Sequence, residues 1–345
     1  MTRNYAIAVT VCALLAALAG FVSPAETRKL EKTRLTIGVG GQRLFYYLPL
    51  TIAERKGFFR DEGLDAEILD FGGGAKALQA VLGDSLDVVS GAYEHTINMQ
   101  AKGWPVVAIV LQDRYNGIVL GIHKSRSADY RSPKDLKGWR IGVTSPGSST
   151  HMAVSNLMVK SGINPNEVPV MGIGSSAGAI AAVKNRLVDA IVNLDPVISK
   201  LELDGDIAVA IDTRTREGMG EVYGGEYHAG CVYAPAAWLI KHPNSAQAVV
   251  NAMVRALVWL RTASVDEIVA AVPQDYYGSD LELYKVALKK NREGYSRDGR
   301  FTMQRAQNVH NVLRQFIEEV RKGKIDLTET FDNRFVEAAL KSYGR

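Results

Sequence analysis

Two stretches of this sequence, 102 residues apart, repeat one another without a gap: Phe71 to Val81 lies over Ile173 to Val183. Gly72 falls on Gly174, and Ala75, Ala77, Ala80 and Val81 fall on Ala177, Ala179, Ala182 and Val183. The match continues to Asp87-Val88-Val89 over Asp189-Ala190-Ile191, and upstream Thr36-Ile37-Gly38-Val39 faces Arg140-Ile141-Gly142-Val143. Each half reads strand, helix, strand, Gly-rich turn, helix, strand. Strands alternating with helical segments specify a largely parallel sheet covered by helices. A chain that does this twice makes two α/β lobes. The space between them lies at the carboxyl ends of the strands, where such sheets bind ligands.

The 345 residues are enough for two lobes. An apolar fraction of 47% and a charged fraction of 23% are those of a soluble globular chain. The net charge of +4 comes from interspersed acids and bases with no basic stripe, so no nucleic-acid partner is expected. Arg3 precedes an apolar run from Ala6 to Val22, and Ser23-Pro24-Ala25 places small residues at a cleavage site. That pattern predicts a signal peptide over 1–25 and export of the mature chain. Cys12 lies inside that segment, so Cys231 is the one cysteine of the mature chain and no internal disulfide forms. In its apolar run, Cys231 reads as a buried thiol.

Strands are predicted at Leu35 to Val39, Ala66 to Phe71, Asp87 to Ser90 and Val106 to Leu111. In the second half they fall at Trp139 to Val143, Val168 to Ile173, Ala190 to Asn193 and Ile207 to Ile211. Gly117 to His123 is the first crossing between lobes. The polar, glycine-rich segment Thr213 to Gly230 is where the chain returns. These crossings divide the chain into residues 34–119 with 228–345 as one lobe and 120–227 as the other. After Pro243 the pattern is helical, with Val249, Val250, Met253, Ala256, Leu257 and Leu260 on one face, and these helices are expected to buttress the first lobe.

Candidate ligand contacts cluster in loops after strands. The turns at Gly73-Gly74 and Ser175-Ser176 precede helices, whose N-termini attract anions; the alternative is a turn that needs only glycine's freedom. Thr144 to His151 is the richest donor cluster. Capping explains one hydroxyl of Ser148 or Ser149, and Ser145, Thr150 and His151 remain for a ligand. Tyr46 and Tyr47 follow Gln42 and offer an aromatic wall with polar tips. Tyr93-Glu94 and Asn193 with Asp195 occupy matching places in the repeat, where the carboxylates either cap a helix or hold a ligand amino group. Arg114 ends a strand and is a fork for an oxyanion or a hinge salt bridge. His95 and His151 lack metal-ligand spacing, so no metal or other cofactor is expected. There is no Gly-x-Ser-x-Gly elbow, no activated cysteine and no dinucleotide fingerprint at Gly172-Ile173-Gly174, where Ala177 stands in place of the third glycine.

Pro49-Leu50 with Ile52 to Phe59, then Glu62 to Asp65, Gly73-Gly74-Ala75 and Leu86-Asp87-Val88, resembles the nitrate/sulfonate/taurine-type solute-binding proteins of ABC importers, a group that includes binders of thiamine pyrimidine precursors. Leu136-Lys137-Gly138, Ile141-Gly142-Val143 and Ser148 to His151 resemble the same family's second lobe. The resemblance implies a type II periplasmic binding protein fold: two α/β lobes, a two-stranded hinge and a cleft that closes over a small ligand. It also implies a periplasmic monomer that delivers its ligand to an inner-membrane permease with a cytoplasmic ATPase. The family's pocket positions correspond to Gln42, Tyr46, Tyr47, the Gly72–Gly74 turn, Tyr93, Glu94, Ser145 to His151, Asn193 and Asp195. The expected ligand is a small organic anion such as a sulfonate, a taurine-like compound or an aromatic carboxylate, with an amine-bearing heterocycle as the alternative. A third reading is an enzyme: the fungal thiamine-pyrimidine synthase is similar in lobe pattern, but it uses a cysteine-rich motif and a histidine as reagents.

Overall fold

The computed structural model describes residues 29–344, so the expected signal peptide lies outside the described residues. Two five-stranded sheets carry the fold. The first contains β1 (Arg34–Val39), β2 (Asp65–Asp70), β3 (Val88–Ala92), β4 (Val106–Leu111) and β10 (Gly230–Pro235), in the order β2-β1-β3-β10-β4. The second contains β5 (Val119–His123), β6 (Ile141–Val143), β7 (Val170–Gly172), β8 (Ala190–Asn193) and β9 (Ile207–Asp212), in the order β7-β6-β8-β5-β9.

The sequence repeat is the repeat of these sheets. β1 lies parallel to β2 and β3, and β6 lies parallel to β7 and β8. Each sheet is completed by one antiparallel strand: β10 between β3 and β4, and β5 between β8 and β9. β5 arrives from the first sheet and β10 returns from the second, so each lobe is closed by a strand delivered across the hinge. Leu35, Ile37 and Val39 of β1 are wholly buried, as are Ile141 and Val143 of β6. Helices on both faces of such sheets cover near-continuous apolar strands of this kind.

The return segment is more ordered than its composition suggests. Four glycines between 218 and 225 argue against a helix, yet Arg216–Tyr223 is helical. The Thr215 side chain caps it by accepting the Gly218 N–H, Gly224 ends it with φ of +76°, and Met219, Val222 and Tyr223 are buried. Capping and tertiary burial outweigh propensity here.

The helix Pro243–Thr262 packs on helices Leu48–Arg55, Phe58–Asp61 and Arg334–Tyr343 and on β4, burying Val249, Val250, Met253 and Ala256 completely. The buttress also reaches across to the second lobe. Helix Leu281–Asn291 touches helix Val197–Leu203, with ion pairs from Lys290 to Glu202 at 3.0 Å and from Lys200 to Asp280 at 3.1 Å. Among the described residues no helix is long and apolar enough to cross a membrane.

Candidate functional site

The two lobes meet through their strand-end loops. Gly72 and Gly174, matched in the repeat, have φ of +65° and +79°, a left-handed conformation that glycine alone adopts without strain. These turns launch the helices Gly74–Leu82 and Ala177–Lys184. Where the copies differ, the difference serves contact between lobes. A Cβ on Gly73 would come within 2.4 Å of Ser145 Oγ, and one on Gly41 within 2.4 Å of Ser175 Oγ. Each small residue leaves room for a serine of the opposite lobe. The Ala75 N–H donates to Ser148 Oγ at 3.0 Å, and the Phe45 N–H donates to the Asp195 carbonyl at 3.0 Å.

The closed cleft keeps two cavities of about 10 Å³ each, space for about one water apiece. One is lined by Tyr47, His95, Thr144 and Ser148, the other by Asp113, Asn116, Arg214 and Asn291, and Tyr46 lines both. A wider groove of about 240 Å³ lies at the rim between Ser175, Ile180 and Val197 on one side and Tyr276, Tyr277 and Tyr284 on the other.

Around Tyr46 lies a buried polar cluster with unfilled hydrogen-bonding capacity. The Tyr46 hydroxyl, Glu94 Oε2 and Asp113 Oδ2 are buried with no hydrogen-bond partner, and the buried Tyr223 hydroxyl and Asn116 amide lie against one another. Glu94 opens the helix Glu94–Ala101, and its Oε1 accepts the Tyr227 hydroxyl at 3.1 Å. Asp113 follows β4, its backbone N–H bonds the Gly230 carbonyl at 3.0 Å, and its Oδ2 lies 2.1 Å from where a Cβ on Gly230 would stand. Burial pushes the Glu94 carboxyl up to about 7 and the Asp113 carboxyl well above the usual carboxylate range. The Tyr46 phenol is raised first by burial and then by the fields of Glu94 and Asp113, so the three groups share one environment. The cleft histidine, His95, is lowered to about 4 by burial and is neutral near pH 7.

Several residues picked from the sequence are committed elsewhere. Asp195 is not the counterpart of Glu94: its carboxylate accepts the Ser199 N–H at 2.8 Å, Arg214 Nη1 at 2.9 Å and Asn291 Nδ2 at 2.7 Å. Asn193 donates to the Gly174 carbonyl and accepts the Leu194 N–H. Tyr93 faces the core, with its hydroxyl on Thr330 and its ring against His228 and Phe301. Arg114 donates twice to the Glu293 carbonyl and lines a separate cavity. Thr150 Oγ1 accepts the Thr144 N–H, and His151 Nδ1 accepts the Gly147 N–H, so both brace their own loop. Gln42 is held through its backbone N–H on Asp70. The cleft cavities are lined by Tyr46, Tyr47, Gly74, Ser148, Ser149 and Thr150 from that set, with Gly73 and Ser145 at the seam between the lobes and Glu94 buried among the groups around Tyr46.

Asp113, Asn116, Tyr223 and Tyr227 escaped selection. Asp113 carried a readable signal, a carboxylate two residues past a wholly apolar strand. Tyr223 and Tyr227 carried none, because they lie in the return segment and reach Glu94 only through the tertiary fold.

The family described as NMT1/THI5 like matches residues 45–263. A solved structure from Bordetella bronchiseptica RB50 is 47% identical, with a TM-score of 0.89 over 92% of this chain and all of that one. The alkanesulfonate-binding protein SsuA of Xanthomonas axonopodis pv. citri, bound to MOPS, is 20% identical, with a TM-score of 0.67 over 88% of this chain and all of that one. The 4-amino-5-hydroxymethyl-2-methylpyrimidine phosphate synthase of Candida albicans is 27% identical over 147 residues, 42% of each chain. The match thus spans less than half of that synthase. The likeness to SsuA gives the fold, a periplasmic binding protein fold of two α/β lobes about a cleft.

Proposed function

The chain belongs to the NMT1/THI5-like family, and from that premise we propose that it is the periplasmic solute-binding component of an ABC importer whose ligand is a small amine-bearing heterocycle. The lobes that close on the ligand are taken as 34–119 with 228–345 and as 120–227, and the captured ligand passes to a membrane permease.

The observation that carries the ligand class is the pair Glu94 and Asp113, each wholly enclosed with one carboxylate oxygen unpartnered. Buried carboxyls without partners are costly. Ligand N–H groups placed on Glu94 Oε2 and Asp113 Oδ2 would convert that cost into charge-assisted hydrogen bonds. Tyr46 and Tyr47, edge to face with ring centroids 5.3 Å apart, supply aromatic surface for a planar ring. The sequence favoured a small organic anion, but the one arginine lining these cavities, Arg214, is spent on Asp195 and Asp212. An anion would meet two carboxyls and no free guanidinium. The aminopyrimidine in the Candida relative's name agrees with the amine reading, and the MOPS bound to SsuA represents the alternative.

Cavities of about 10 Å³ hold no organic molecule. Binding therefore requires the lobes to part and close again, with the ligand favouring the closed state by its differential affinity. Catalysis of the fungal type finds no reagent in Cys231, which is buried in β10 with its thiol pushed well up by burial.

Calorimetric titration of the mature chain with aminopyrimidines, alkanesulfonates, aromatic carboxylates and nitrate tests the reading. Aminopyrimidines should bind saturably, and Glu94→Gln or Asp113→Asn should weaken them at least tenfold. Binding of sulfonates or carboxylates alone, or an affinity indifferent to Glu94→Gln, would overturn it. Incubation with pyridoxal phosphate and iron should yield no pyrimidine product.

A further inference from the structure

Beside the hinge lies a cavity of about 300 Å³, distinct from the two small cleft cavities. Its walls carry four arginines, Arg114, Arg216, Arg297 and Arg305, against two acids, Glu226 and Glu293. Arg305 Nε reaches Glu226 at 3.1 Å, while Arg114 spends its Nε and Nη2 on the Glu293 backbone carbonyl at 3.1 and 2.9 Å. The Glu293 carboxylate accepts the Tyr115 hydroxyl at 2.9 Å. Arg216 and Arg297 make no hydrogen bond or ion pair among the described residues. The positive charges converge: the Glu226 carboxyl is held low first by Arg305 and further by the fields of Arg216 and Arg114.

We propose that this cavity is a second binding site, one that takes a small multivalent oxyanion of the phosphate or polycarboxylate type. Two unpaired guanidiniums facing two partly engaged ones suit several oxygens at once, through the planar fork that distinguishes arginine from lysine. The walls come from both crossings. Arg216 and Gly220 belong to the helix Arg216–Tyr223, Arg114 and Tyr115 lie between β4 and β5, and Glu226 lies just before β10. Two of these segments also build the cleft. Asp113 precedes Arg114, Tyr227 follows Glu226, and Tyr115 lines both this cavity and a cleft cavity. An anion held here grips both hinge segments and biases the closed arrangement, which couples it to the cleft ligand.

The test is titration of the mature chain with inorganic phosphate and, separately, with citrate, at constant ionic strength set by chloride. Saturable one-to-one binding of either, weakened at least tenfold by Arg216→Gln with Arg297→Gln, supports the site, and the two arms tell a single tetrahedral anion from a polycarboxylate. Neither arginine has a hydrogen-bonded or ion-paired partner to lose, so the double variant should keep the parent's melting temperature closely. Absence of saturable binding by both anions, or binding retained in the double variant, would overturn the proposal. Glu94→Gln should leave anion binding unchanged. Its loss in that variant would place the anion in the cleft and refute a separate site, whatever the cleft's own ligand.

Discussion

Ser148 Oγ of the second lobe accepts the backbone N–H of Ala75 in the first at 3.0 Å, and Ser145 Oγ lies 2.7 Å from the same oxygen. A residue placed to cap its own helix therefore binds the helix of the other lobe. The hydroxyl cluster is a latch as well as a helix start.

Removing that latch should loosen closure without unfolding either lobe. One intramolecular hydrogen bond is worth about 1 kcal/mol net, roughly a fivefold change in a two-state ratio. Ser148→Ala should raise the radius of gyration of the unliganded protein in small-angle scattering. A profile identical to the parent's would count against the latch.

Gly73→Ala isolates steric closure from stability. Gly73 has φ of −177°, extended backbone open to any residue, while an added Cβ would stand 2.4 Å from Ser145 Oγ and 2.7 Å from Ser145 Cβ. The melting temperature should hold while ligand affinity falls at least tenfold, and Ser145→Gly in the same chain should restore it. Failure of the second change to rescue would mean the glycine serves something other than lobe contact.

Glu94 makes stability depend on pH. Burial pushes its carboxyl from 4.5 up to about 7. Stabilisation from a group kept protonated by the fold is complete below the unfolded value and fades as pH rises through 7. The unliganded protein should lose on the order of 2 to 3 kcal/mol more than Glu94→Gln between pH 5 and 8, by denaturant melts. Asp113 shifts in the same direction and adds to the trend. A cationic ligand should bind more tightly over that window, until its own amine loses its proton.

Arg214 is the second lobe's structural cation. It is 3% exposed and pairs with Asp195 at 2.9 Å and with Asp212. Arg214→Met leaves Asp195 buried without its counter-charge and should cost about 3–5 kcal/mol in denaturant melts. A loss below about 1 kcal/mol, the scale of exposed pairs, would show that the pair is solvated.

The fold was legible because its signals are local. Val106–Leu111 and Ala190–Asn193 were readable as apolar runs to the residue, and the Gly72/Gly174 match marked the one backbone conformation both turns share. Helix Arg216–Tyr223 was not, since its glycines mask a cap and a buried face. Among the candidates, strand-end position singled out Tyr46 and Ser148, which line the cleft cavities, and Glu94, which is buried near Tyr46. It also drew in Asn193 and Asp195, whose partners, Gly174 and Arg214, lie 19 residues away on either side.

The sequence by itself determined two α/β lobes and the loops that face each other, because periodicity and turn chemistry act over a few residues. Tertiary structure alone decided which groups of those loops remain free. Glu94 meets Tyr227 across 133 positions of sequence, and Asp195 meets Asn291 across 96. Whether a carboxylate is spent or available depends on such distant partners and on the water they exclude. No local pattern encodes that, and it is what turned two matching acids of the repeat into one carboxyl with an unpartnered oxygen and one structural counter-ion.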